Sequence, residues 1–220
     1  MTSPAVVIVG AGHAGVQSAA SLREQGFEGA IVLLSEEKEL PYQRPPLSKA
    51  FLKGEMDLHG LPLRAEGFYR DQRIDLRLGA RATRIDRAAR RVMLADGDAV
   101  GYGHLILATG ARQRRLDVPG VDLPGVYALR NIADATALRE RIVAGLRIVV
   151  IGAGFIGLEV AATSSPMNPA PITTTLTPGA MRSRRAAASA MLRRAYTPSR
   201  STPGTSSRRC RAPVARMRWP

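Results

Sequence analysis

One cysteine, Cys210, stands in a chain of 220 residues, which excludes a disulfide framework and a C-x-x-C redox pair. No uninterrupted apolar run is long enough to span a bilayer. The chain opens Met1-Thr2-Ser3-Pro4 without a basic segment or a signal-type apolar core, so a cytoplasmic protein is expected. Histidines are scarce, and His13, His59 and His104 lack metal-ligand spacing, so structural roles are expected for all three. Acids are missing from the last quarter. All 18 Asp and Glu lie in residues 1–162 beside 21 Lys and Arg, whereas residues 163–220 hold 11 arginines, no lysine and no acid. The formal net charge of +14 therefore belongs mostly to the final stretch. The near-balanced body argues against a native nucleic-acid role.

What is present begins with Ala5-Val6-Val7-Ile8-Val9 followed by Gly10-Ala11-Gly12-His13-Ala14-Gly15. An apolar run ending in G-x-G-x-x-G predicts a buried strand turning tightly into a helix. Gly10 permits the turn, Gly12 lets a phosphate approach the backbone, and Gly15 lets the helix pack on the strand. The helix start then offers unpaired N–H groups and a positive dipole end, which suit a pyrophosphate. A helix over about Ala14–Gln25 and a second apolar strand over Ala30–Ser35 complete a βαβ unit. Glu36 follows 21 positions after Gly15, near the spacing of the carboxylate that binds an adenosine ribose hydroxyl.

Further on stands Pro41-Tyr42-Gln43-Arg44-Pro45-Pro46-Leu47-Ser48-Lys49, an extended loop fixed by prolines with a short helix start after Leu47. Short strands are expected at 74–79, 82–86 and 91–95, the last running into an Asp96-Gly97 hairpin turn. A buried strand then ends in Ala108-Thr109-Gly110, and a proline-rich connection leads to a helix from about Ala133 to Val143. The glycine motif returns at Gly152-Ala153-Gly154-Phe155-Ile156-Gly157, again after an apolar strand and 142 positions from the first. Two such motifs in one chain point to two dinucleotides.

With P-Y-x-R-P-P-L-S-K between its two glycine motifs, the stretch from Val6 to Ala162 resembles the FAD-dependent ferredoxin reductases of monooxygenase and dioxygenase electron chains. These belong to the wider pyridine nucleotide–disulfide oxidoreductase fold. The resemblance implies an α/β architecture: a Rossmann-like FAD-binding domain of the ββα three-layer type over 1–115, then the start of an inserted NAD(P)H-binding unit over 116–162. It implies FAD contacts from Gly10, Gly12, the Ala14 backbone, Gly15, Glu36, Arg44, Lys49, the Ala82 backbone, Thr109, Gly110 and Arg130. Lys49 would sit near the flavin ring, where a cation stabilises developing negative charge. The resemblance assigns Gly152, Gly154, Ile156 and Gly157 to NADH, and places Glu159 on a helix facing the flavin, able to pair with Lys49. The implied activity passes electrons from NADH through FAD to a ferredoxin-type 2Fe–2S protein or a rubredoxin. The lack of a redox cysteine pair fits an external one-electron acceptor.

The second unit breaks its own pattern. Its helix should be cut at Pro166, no strand is expected to follow, and no acid occurs near position 177, so NADPH stays open beside NADH. Residues 163–220 hold eight prolines, sixteen Ser and Thr, and four of Val, Ile or Leu, a composition expected to remain disordered. A basic arm competes there with an out-of-frame reading, which the loss of acids and lysine in mid-motif favours. The alternative to an active reductase is therefore a non-catalytic fragment that binds FAD weakly or not at all.

Overall fold

Apolar residues on both faces of the opening strand require cover from two sides. The computed structural model, which describes residues 4–113, 116–143, 147–152, 154–167 and 173–175, supplies it. Strands β1 (Val6–Val9), β2 (Ile31–Leu34), β3 (Ile74–Arg77) and β7 (His104–Leu107) form a parallel sheet in the order β3-β2-β1-β7. Val6, Ile8, Ile31, Leu33 and Ile74 pack on helix α1 (His13–Glu24) through Val16 and Ala19, and on Tyr69 of helix α3 (Glu66–Asp71). The alternate residues Val7, Val32 and Leu34 face the other way, onto Val92, Leu94 and Val100. Those belong to a three-stranded antiparallel sheet of β4 (Ala82–Asp86), β5 (Arg91–Leu94) and β6 (Ala99–Gly101). The period-2 alternation of β1 and β2 thus decides the layering: helix, parallel sheet, antiparallel sheet. This is the ββα three-layer arrangement that the resemblance implies.

Arg23 closes the helix layer. Its guanidinium donates to the carbonyls of Gln72 and Arg73 at 2.7 Å each, to Gly29 at 2.8 Å, and to Phe27. It therefore fastens the end of α1 to the turn before β3, where Arg73 has a φ of +50°. Arg23→Ala should lower unfolding stability by roughly 1.5–3 kcal/mol, the range for hydrogen bonds to a charged donor. Urea denaturation would check this; an unchanged midpoint would show the carbonyls fully served by water.

The Arg44–Lys49 segment folds as a 3-10 turn (Pro45–Ser48) followed by helix α2 (Ala50–Lys53), which Gly54 ends with a φ of +77°. Leu47 and Phe51 pack with Tyr42, Leu61 and the Ile132 and Ala135 side chains of helix α4 (Ile132–Arg141). Asn131 and Asp134 cap α4 reciprocally. Leu52 packs instead with Ile142 and with Val160 of helix α5 (Phe155–Met167), so the loop is gripped by the second nucleotide unit.

In that second unit the structure corrects two expectations. Helix α5 runs through Pro166 to Met167 instead of stopping before it, and strand β9 (Thr173–Thr175) follows, paired in parallel with β8 (Val149–Ile151). A proline next to a helix end removes one backbone bond and leaves the earlier turns intact. Three successive β-branched threonines suit a strand. Beyond these elements the expected basic tail, including position 177, lies outside the described residues. Among the described residues no helix is long and apolar enough to cross a membrane.

Candidate dinucleotide sites

At the end of β1 the three glycines meet different surroundings. Gly10 has a φ of +105°, and a Cβ there would lie 2.2 Å from the Ala108 carbonyl oxygen. A Cβ on Gly15 would lie 1.9 Å from the Gly10 oxygen, so helix and strand touch through bare backbone. A Cβ on Gly12 would meet nothing within 4 Å. The outer glycines are consumed by packing, and the middle one faces open space in front of the α1 N-terminus. No acid occupies the first turn of α1 and no side chain caps it, so its N–H groups and dipole are uncompensated. Ala14 lies in that turn. His13, Gln17, Gln43 and Arg64 line a cavity of about 240 Å³ there.

The second motif repeats this geometry. Gly152 has a φ of +119°, a Cβ on Gly157 would meet the Gly152 oxygen at 2.0 Å, and one on Gly154 would meet nothing within 4 Å. The first helical bond runs from Leu158 N to Gly154 O at 3.1 Å, as Val16 N bonds Gly12 O at 3.0 Å. Ile156 is half exposed at the start of α5. Two cradles of one shape, each open at the middle glycine, fit a dinucleotide phosphate apiece.

The remaining predicted residues fall into three places. Glu36, just past β2, is 54% exposed and lies 3.5 Å from Arg81 Nε and 3.9 Å from Arg112 Nη2. Ala82 is half-buried in β4, beside a register shift. Thr109 and Gly110 follow β7, and Arg130 Nη2 comes within 3.9 Å of where a Gly110 Cβ would stand. Arg44 is held by protein groups. It pairs with Glu37, lies over the Tyr42 ring, and donates to the Tyr42 hydroxyl at 3.2 Å and the Arg130 carbonyl at 2.8 Å. Tyr42 in turn donates to Glu37, and burial together with that bond pushes its phenol pKa up.

Lys49 and Glu159, 110 positions apart, are brought together: Lys49 Nζ lies 3.2 Å from Glu159 Oε1. Ser48 Oγ donates to Glu159 Oε2 at 2.6 Å. The Ser48 hydrogen bond, aided by Lys49 against desolvation, holds Glu159 below the ordinary carboxylate value of 4.5. A lowered folded pKa means that this contribution to stability is complete above about pH 4.5 and is lost as pH falls through the folded value. The stability advantage of wild type over Glu159→Gln should therefore shrink on acidification below pH 4.5. Urea midpoints of both proteins across pH 3–7 check this (a window set by the carboxylate range). An advantage constant with pH would rule it out.

Sequence reading misses Glu37, Tyr42, Ser48 and Thr163 as partners of the predicted residues. Tyr42 and Ser48 stand inside the quoted loop motif, yet nothing in their spacing reveals contacts across 90 and 111 positions. The Asn131/Asp134 cap was open to reading from its N-x-x-D pattern.

A three-layer domain with one glycine cradle, joined to a second strand–cradle–helix, defines a protein of the two-dinucleotide α/β class. The family model "Pyridine nucleotide-disulphide oxidoreductase" matches residues 4–196, and the chain belongs to that family. It is 52% identical over 159 residues to rhodocoxin reductase of Rhodococcus erythropolis, covering 72% of this chain and 37% of that protein. It is 48% identical over 160 residues to a rubredoxin-NAD(+) reductase of Pseudomonas putida, covering 73% of this chain and 42% of that one. Among solved structures, putidaredoxin reductase in its covalent complex with putidaredoxin superposes with a TM-score of 0.76 at 39% identity, over 89% of this chain and 49% of that one. The chain thus spans about two fifths of the length of these curated relatives.

Proposed function

We propose that this chain binds FAD at the first cradle and NADH at the second, and serves electron transfer from NADH to a ferredoxin-type 2Fe–2S protein or a rubredoxin. NADPH stays open as the alternative donor. The observation that carries the reading is the Lys49–Glu159 pair, which joins the loop beside the first unit to the helix rising from the second cradle. When bound, FAD supplies the conversion between two-electron and one-electron chemistry.

The protein's own part is to bind, orient and set charge. The open spaces at Gly12 and Gly154 admit phosphate against backbone N–H groups. The Glu36 carboxylate accepts from ribose hydroxyls, flanked by Arg81 and Arg112. Ala82 offers backbone to the adenine, and Thr109 with Gly110 closes the pass. Lys49 sets a cation where negative charge develops, and Arg44 and Arg130 are the other cations assigned to the FAD site. The names of the relatives support the acceptor class, and the lone cysteine supports a cytoplasmic setting.

The alternative reading is a chain with weak or no FAD affinity. FAD titration by flavin fluorescence separates the two. Saturable quenching is expected, weakened in Glu36→Ala by roughly 1–3 kcal/mol as ribose hydroxyls lose their acceptor. Absence of saturable binding by wild type would favour the second reading, and equal affinity of the variant would remove Glu36 from the site.

A further inference from the structure

Ser48 is only 5% exposed, and it makes contacts in two directions across the junction of the nucleotide units. Its hydroxyl donates to Glu159 Oε2 at 2.6 Å, and its carbonyl accepts from Thr163 Oγ1 at 3.0 Å. Glu159 and Thr163 stand four apart on α5, so they share one face one turn apart and clasp the same residue. The Ser48 hydroxyl also lies 3.4 Å from the Pro45 carbonyl, but its single proton goes to the much closer carboxylate. Glu159 therefore spends one oxygen on Ser48 and the other on Lys49.

A carboxylate held through one oxygen still turns about its broad terminal torsion, whereas one held through both does not. Lys49 is 55% exposed on the side-chain scale, with a long flexible stem, so the carboxylate is what localises its ammonium. Arg139 of α4 stacks on Phe51 at 4.7 Å and is engaged there. We propose that Ser48 is a positioning residue: its buried hydroxyl orients the Glu159 carboxylate and thereby holds the Lys49 ammonium in place for the flavin. The last step rests on the reading of FAD at the first cradle; the hold on Glu159 does not.

The full chain, labelled with carbon-13 at glutamate carboxyls, allows Glu159 to be titrated by NMR, its signal assigned by loss in Glu159→Gln. Ser48→Ala should move the Glu159 midpoint up, Ser48→Thr should keep it low, and Thr163→Val, which spares the hydroxyl donor, should leave it unmoved. Ser48→Cys, close in size but a weak donor, should also raise it and serves if the alanine variant fails to fold. An unmoved midpoint in Ser48→Ala or Ser48→Cys overturns the proposal. In protein loaded with FAD, the flavin reduction potential should fall in Ser48→Ala and return in Ser48→Thr; equal potentials in all three would overturn the link to Lys49. Failure of wild type to bind FAD would overturn the FAD reading alone, since the carboxylate titration is made without cofactor.

Discussion

Gly15→Ala should destabilise the N-terminal domain by about 3 kcal/mol or more, while Gly12→Ala should leave its stability nearly unchanged and weaken FAD binding. The difference follows from what a methyl group would meet. At Gly15 it would stand 1.9 Å from the backbone oxygen of Gly10, an atom fixed by β1 and by the Gly10 N to Leu34 O bond of 2.9 Å. Relief requires α1 to lift from the sheet, and that opens the layer where Val16 and Ala19 pack against Val6, Ile8 and Leu33. Overpacking costs typically about 1–3 kcal/mol, and here the obstructing atom is main chain, which places the cost at the upper end. A Cβ at Gly12 would meet nothing within 4 Å, so the methyl enters only the space proposed for phosphate. Urea denaturation and FAD titration of both variants read the two effects separately. Equal stability losses would show that the open space at Gly12 is not a cradle, and a stable Gly15→Ala would refute the close packing.

Phe51→Ala should cost about 3–5 kcal/mol, the range for emptying an aromatic core position. Phe51 is 1% exposed on the short helix α2 and packs with Tyr42, Leu47, Leu61, Ile132 and Ala135. Arg139 also lies over its ring at 4.7 Å. A four-residue helix has too few hydrogen bonds to persist alone, so this packing is what holds α2 against α4. Lys49 directly precedes α2, and loss of the anchor should loosen the Lys49–Glu159 pair along with global stability. Urea denaturation gives the first effect, and amide exchange at Ala50–Lys53 gives the second. Exchange in that helix at the wild-type rate would show that it is held by other contacts.

Much of the fold is legible in the linear chain because its determinants are local. The run Val6–Val9 beside a glycine turn specifies a strand, and its period of two assigns alternate residues to opposite layers. In each G-x-G-x-x-G the first and third glycines, five residues apart, come into backbone contact, which is why both strand–turn–helix units are legible from spacing alone. Asp96-Gly97 likewise announces the β5–β6 hairpin. The reading failed where composition outweighed local chemistry. Pro166 and a polar stretch suggested a broken unit, yet one proline at a helix end and three threonines are compatible with α5 and β9.

What only tertiary structure decided is which side chains share a point in space. The resemblance already lets Glu159 pair with Lys49, and the fold sets the two 3.2 Å apart; Arg44 and Arg130 are separate positions in the sequence, and the fold alone sets Arg44 against the Arg130 carbonyl. It also recruits Ser48, Thr163 and Tyr42, whose roles depend on hydrogen bonds of about 3 Å between segments up to 115 positions apart. Periodicity and turn chemistry act over a few residues and are written in order along the chain. A hydrogen bond between distant segments depends on the packing of all the elements between them, so it exists only once the layers and the α2–α5 contact have formed.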